Sequence, residues 1–313
     1  MNMILPKPLK LKWMCSVFLL AASTVGLVGM GFAQVAVIEV DPTPRTKPFD
    51  VEFGYGYQAN TDIKKSGGDF QRNSVRAGLN AEIDFGDGFK LDNILAYEFH
   101  NYTFSGSSAF QWEDIHRFVY APLFKWQASE SWTVLAAPIV QWMGEGGADI
   151  SDAFTGGGLV GFNYQASPDL SLGLLVGVLS QIEDDAILLP IPTANWKFAE
   201  KWTLRAGVNR LGPTVGVGGE LAWKFAKTVE LAGGIQFQKR RFRLDKNNRV
   251  AEETLAPAYG KVTWALFPQG NVEFFGSVTT NGELRLENKN GNKISDKDYE
   301  STAFFGGRLH FVF

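Results

Sequence analysis

Phe49-Asp-Val-Glu-Phe-Gly-Tyr-Gly-Tyr57 carries an apolar or aromatic side chain at every odd position and a charge or glycine at every even one. Successive side chains of an extended chain point to opposite faces, so a strict period of two describes a strand whose faces meet different surroundings. The pattern returns in Val75, Ala77, Leu79, Ala81, Ile83 and Phe85, with Arg76, Gly78, Asn80, Glu82 and Asp84 between them. It continues over roughly 89–100, 115–126, 132–142, 157–165, 170–180, 187–198, 202–211, 216–225, 228–243, 257–267, 272–280 and 301–313. The reading is about fourteen strands, within a range of about 12 to 16.

The connections between these segments alternate in length. Short ones read Gly86-Asp-Gly88, Gln127 to Ser131, Ala166-Ser-Pro-Asp169, Ala199-Glu-Lys201, Ala226-Lys227 and Pro268-Gln-Gly-Asn271, and most of the others are longer and richer in Gly, Asp and Asn. Short turns at one end and longer loops at the other belong to an antiparallel sheet closed into a barrel across an outer membrane. Aromatic residues gather beside the short turns: Phe85, Phe89, Trp126, Trp132, Trp196, Trp202, Trp223 and Trp264. Amphipathic rings are stable at headgroup level, so a girdle there favours lipid contact over the soluble sandwich or propeller that would also give many short strands. The expected fold is all-β, a transmembrane antiparallel up-and-down β-barrel over 49–313.

Composition agrees with this reading only after the stripes are separated. The 313 residues are 45% hydrophobic with 34 Gly, 25 Phe, 9 Trp and 8 Tyr, yet the mean hydropathy is -0.07. An apolar stripe and a polar stripe on each strand cancel. A helical bundle would need repeated apolar runs of about 20 residues, and a disordered chain would lack the aromatics.

The first 33 residues carry Lys7, Lys10 and Lys12, then 21 uncharged residues from Trp13 to Gly31-Phe32-Ala33. This is the order of a signal peptide, a retained anchor helix being the alternative, and cleavage is expected after Ala33. Residues 34–48 then form a periplasmic N-terminal segment. Removing three lysines from 30 basic residues leaves 27 against 33 acidic ones, net -6, and removes Cys15, the only cysteine. So mild an acidic balance offers no footprint for nucleic acid, and stability must come without disulfides.

The chain ends Ala303-Phe-Phe-Gly-Gly-Arg-Leu309-His-Phe311-Val-Phe313. This resembles the C-terminal signature of bacterial, porin-like outer-membrane barrels, with Leu309, Phe311 and Phe313 on the lipid face. The resemblance implies that the terminal strand is the address read by the barrel assembly machinery. One internal repeat, Trp196 to Val208 against Trp223 to Ile235 at a spacing of 27 residues, is read as copied girdle and turn positions rather than a repeated binding site.

The inward stripe holds Glu52, Arg76, Glu82, Glu98, Arg117, Arg205, Glu220, Arg240, Lys261, Glu273 and Arg308. With Asp50, Asp84, Lys90, Asp92, Lys125, Lys224 and Glu230 it balances acids against bases, which suits either a web of ion pairs or a wetted channel of little charge preference. Closure of the sheet should bring Arg308 near Glu52. One wall is apolar instead: Val119, Ala121, Leu123, Leu135, Ala137, Ile139, Leu159, Leu175, Leu179 and Leu188. A plug such as Gln34-Val-Ala-Val-Ile-Glu-Val40 could pack there, or the wall could be half of a conduit for an amphipathic solute.

The chemistry of an enzyme is sparse. His100, followed by Ser105, Ser107 and Ser108, and the pair Asp114-Ile-His116 are the local candidates for a lipid-modifying enzyme or a protease. No catalytic residue is assigned from them. Asp184-Asp185 and the loop Asp245 to Glu253 lack calcium-loop spacing, so neither a metal nor another cofactor is expected. The stretch Gly282 to Tyr299, with Asn288-Lys-Asn-Gly291 at its tip, is expected to protrude as a hairpin. The expected function is an outer-membrane channel or facilitated conduit for a small solute, with Arg76, Arg117, Arg205, Arg240, Glu82, Glu98 and Glu220 setting selectivity. A closed barrel with structural or surface-interaction duty is the alternative, and lipid and the assembly machinery are the expected partners.

Overall fold

The computed structural model describes residues 48–313 except 107, 108 and 281. The expected signal peptide, its cleavage after Ala33 and the plug candidate at 34–40 lie outside the described residues. Seventeen strands follow one another: β1 (Phe49–Ile63), β2 (Gly68–Gly86), β3 (Phe89–Gly106), β4 (Asp114–Gln127), β5 (Trp132–Glu145), β6 (Phe154–Ser167), β7 (Leu170–Gln181), β8 (Asp184–Ala199) and β9 (Trp202–Leu211), then β10 (Thr214–Lys224), β11 (Val229–Arg243), β12 (Val250–Leu255), β13 (Pro257–Phe267), β14 (Gly270–Thr279), β15 (Gly282–Glu287), β16 (Lys293–Tyr299) and β17 (Thr302–Val312).

Fourteen of them form the ring, β1 through β11, then β13, β14 and β17, which pairs back onto β1 from Asp50↔Val312 to Gln58↔Phe304. Ring neighbours are antiparallel, as an up-and-down barrel requires. The three others are upward continuations: β12 runs into β13, β14 into β15, and β16 into β17. Closure gives each ring strand two neighbours and leaves few free sheet edges, the condition under which a sheet can sit in lipid. Phe53, Leu95, Phe118, Val160, Leu172 and Phe274 are exposed on the outer face. The girdle residues lie on the same face beside the short turns, with Phe89 stacked on Trp126 at 5.6 Å and Trp202 on Trp223 at 5.8 Å.

Three features depart from the sequence reading. Leu188 points outward at 66% exposure, whereas Leu189 and Ile191 point inward and are buried. A register shift between Leu179 and Gln181, just before the tight turn into β8, moves the alternation by one residue. Tight connections also occur at the far end, at 182–183 and 212–213. The Gly282–Tyr299 hairpin does not stand free, because β15 pairs with β12 and buries Leu284 and Leu286.

That hairpin belongs to a cap. The upper part of β11 leans across the barrel until Arg243 bridges Gly144 of β5. It brings Phe242 to 5.6 Å from Trp112 and 6.1 Å from Tyr102. With Phe70, Phe110, Met143, Leu284 and Tyr299 these side chains form one buried cluster that fills the far mouth. Beneath it, buried Glu253 accepts hydrogen bonds from Tyr102 (2.6 Å), Tyr299 (3.2 Å) and Arg240 (2.9 Å) and pairs with Arg72.

Candidate functional site in the barrel lumen

Inside the girdle end lies a cavity of about 620 Å³, and five acids (Asp50, Glu52, Glu220, Glu230, Glu273) face five bases (Arg76, Arg205, Arg210, Lys261, Arg308) around it. These charges form a belt of alternating sign. Arg76 binds Glu52 at 2.8 Å, Arg308 lies 3.6 Å from both Glu52 and Glu273, and Lys261 reaches Glu273 at 3.7 Å and Glu220 at 2.8 Å. Arg205 closes the row, 2.8 Å from Glu220 and 2.7 Å from Glu230. Inward positions at one height on neighbouring strands are cross-strand neighbours, so opposite charges there satisfy one another. Arg308 meets Glu52 across the seam that closes the ring.

Seven of the residues expected to line the lumen surround this cavity: Glu52, Arg76, Arg205, Glu220, Lys261, Glu273 and Arg308. The other four do not. Glu82 sits at the short-turn rim between Lys90 (2.8 Å) and Lys125 (3.9 Å). Glu98, Arg117 and Arg240 point inward but are packed above, Arg117 on Glu98 at 3.2 Å and on Gln141 at 2.9 Å. The cause is the lean of β11 and β12 over this level, which no stripe pattern encodes. The cavity is apolar where Leu135 of β5 and Leu175 of β7 face the belt, flanked by Ile94 and Val208, with Asn163, Ser171, Thr193 and Asn195 beside them.

The wall is interrupted beside this cavity. Pairing of β8 with β9 reaches Ala194↔Ala206 and goes no higher. The next residue of β9, Gly207, has φ +122°, a conformation L side chains avoid, and there the strand leaves the wall. The β9–β10 hairpin stays paired with itself, Leu211↔Thr214 at its tip, and crosses the lumen. A Cβ on Gly54 of β1 would stand 2.9 Å from the Pro213 backbone, which explains why a glycine faces the tip. Arg210 pairs with Glu52, the Gly212 N–H donates to Glu273 at 3.3 Å, and Leu211 packs with Tyr259, Phe275 and Phe304.

Above Ala194, therefore, β8 has no strand partner on that side among the described residues. The Lys197 N–H donates to Asp169, and the β7–β8 register is regular from Leu170↔Trp196 to Leu179↔Ile187. N–H directions alternate along a strand, so Pro190 and Pro192 fall where the amide would face the gap. Proline has no such hydrogen, and free edges are where a sheet tolerates it. Above the gap Arg241 reaches the Ile182 carbonyl at 2.7 Å, and Arg243 reaches Glu183.

Sequence reasoning passed over one constellation. Ser74, His100 and Glu98 lie in a row, with His100 Nδ1 2.9 Å from Ser74 Oγ and Nε2 3.4 Å from Glu98. All three are buried, none lines the lumen cavity, and Glu98 already holds Arg76 and Arg117. A nucleophile needs a place for its substrate, and the lumen cavity does not reach this row. Asp114 and His116 are separate, bonded to Asn101 and Tyr97. Among the described residues no group of three or more His, Cys, Asp or Glu side chains is placed to hold a metal ion.

The fold and lumen define a transmembrane-type β-barrel of fourteen strands with an inward hairpin and an interrupted wall. Solved outer-membrane proteins match the chain at low sequence identity. An outer membrane channel from Pseudomonas putida F1 matches at 10% identity and TM-score 0.49, covering 88% of this chain and 100% of that one. A Pseudomonas aeruginosa FadL homologue matches at 10% identity and TM-score 0.49, over 86% of this chain and 91% of that one. The P. putida toluene transporter TodX follows at 8% identity and TM-score 0.45, over 87% and 91%. The first of these is described as a channel and the third as a transporter. No protein-family model and no curated protein matches the chain.

Proposed function

We propose that the chain is an integral outer-membrane barrel that passes a small solute passively, with the gap between β8 and the inward hairpin as the way out of the lumen. The supporting observation is the loss of β8–β9 pairing above Ala194 beside the cavity, while the far mouth is filled by the aromatic cap. An unpaired strand edge in lipid is costly, and the two prolines lower that cost by removing donors. Leu309, Phe311 and Phe313 serve as the segment read by the assembly machinery in this proposal, and the Ser74–His100–Glu98 row has a structural role.

Uptake of a labelled apolar tracer by cells with and without the protein tests the conduit. Gly207→Val disfavours the kink and should hold β9 against β8, so uptake is expected to fall to the level of cells without the protein while the barrel keeps its heat-modifiable migration. Unchanged uptake in that variant removes the side route. The filled mouth also favours a second reading, a closed barrel with structural duty, which predicts no uptake above background in any variant.

A further inference from the structure

We infer that the lumen cavity selects uncharged solutes that carry one hydrogen-bonding group on an apolar body, in preference to the corresponding ions. The inference rests on the conduit reading and names its substrate class.

Opposite charges around the cavity are paired. Every cation that lines the cavity has an anion within pairing distance: Arg76, Arg308 and Arg210 on Glu52, Lys261 on Glu220, and Arg205 on Glu220 and Glu230. Five acids face five Arg or Lys side chains in the lining, and the fifth acid, Asp50, lies 3.3 Å from His310, which also lines the cavity. An entering carboxylate or ammonium finds no free counter-charge and must lose its water or displace a partner. Either route leaves a charge uncompensated in a confined space, which is penalised strongly.

Across from the belt the cavity presents Leu135 of β5 and Leu175 of β7, flanked by Ile94 and Val208, with Thr193 and Asn195 at their border. A molecule with an apolar face and one hydroxyl or amide can satisfy both sides at once. A volume of about 620 Å³ is of the order of pockets that enclose one small organic molecule.

The test uses the purified full-length protein in nanodiscs and ring-fluorinated probes of one size followed by fluorine NMR: 4-fluorobenzyl alcohol, 4-fluorotoluene, 4-fluorobenzoate and 4-fluorobenzylammonium. The alcohol is expected to show saturable, protein-dependent binding, at least roughly tenfold tighter than either ion. Glu220→Gln removes one anion of the belt, and benzoate should then gain roughly tenfold; Glu230→Gln, at a more exposed site, provides the same test if the first variant folds poorly. Benzoate or benzylammonium binding as tightly as the alcohol overturns the inference, as does a toluene analogue that equals it or a belt variant that leaves benzoate unchanged. Tracer uptake in cells reads the conduit separately. Uptake without the selectivity sinks only this inference, and selective binding without uptake sinks only the conduit.

Discussion

Glu253 is the anion on which the cap turns. Two arginines, Arg72 and Arg240, and two tyrosines converge on a carboxylate with no exposed side-chain surface. Removing one partner of a buried network leaves the others uncompensated, so Glu253→Ala should lower stability by roughly 3–5 kcal/mol. Urea unfolding in lipid vesicles measures it, and a loss below about 1 kcal/mol, the range of exposed pairs, would place Glu253 in water rather than under the cap. Sequence alone marked Arg240 as inward but not its depth. A period of two reports the face of a strand, whereas depth depends on which distant strand folds over it. For the same reason the pattern placed Glu98 and Arg117 on the inward face without showing that they pack above the cavity.

At the scale of elements, the inward hairpin is held at its tip and bent at its root. Gly54→Leu puts atoms where Pro213 now rests, and it should dislodge the tip without touching the root. Amides of 208–217 are then expected to exchange hydrogen faster than in the parent protein while those of β2 and β3 stay protected; uniform exchange across the barrel would mean global loosening. The kink at Gly207 shows the limit of pattern reading. Gly207 and Gly234 occupy the same place in the 27-residue repeat, yet only Gly207 has a positive φ. The difference lies in what each strand must pair with next. The β15–β16 hairpin is expected to depend on pH instead. Burial and the nearby Glu252, Asp296 and Asp298 raise the Glu283 carboxyl above its ordinary value. A raised carboxyl pKa favours the folded hairpin where Glu283 is protonated, and this contribution fades as pH rises through that value. Protease cleavage within 282–299 should therefore slow on mild acidification, and Glu283→Gln should remove the dependence.

The whole molecule was legible where closure governs it. Fourteen patterned segments, six short turns beside aromatic rings and the meeting of Arg308 with Glu52 all follow from alternation plus the need to leave no edge. The interruption of that ring was not legible, because it depends on a bend of one glycine and on a tip that lands several strands away. The last strand completes the ring, with the Phe313 N–H donating to Phe49 at 2.7 Å and the two rings 6.2 Å apart. Deleting Phe313 should lower the heat-modifiable fraction in cells more than it lowers the unfolding midpoint of protein refolded in detergent; equal losses would assign it to stability rather than to assembly.

Pro190 and Pro192 bear on how these molecules behave in a crowd. A bare strand edge in a crowded bilayer is a template, and two copies meeting edge to edge could extend one another's sheets. With two successive donors missing from the gap-facing row, a second copy finds carbonyls but few hydrogens to zip against. In the proposed conduit the gap at β8 thus carries its own safeguard against self-association, and restoring the two amides with Pro190→Ala and Pro192→Ala should increase pairing between copies.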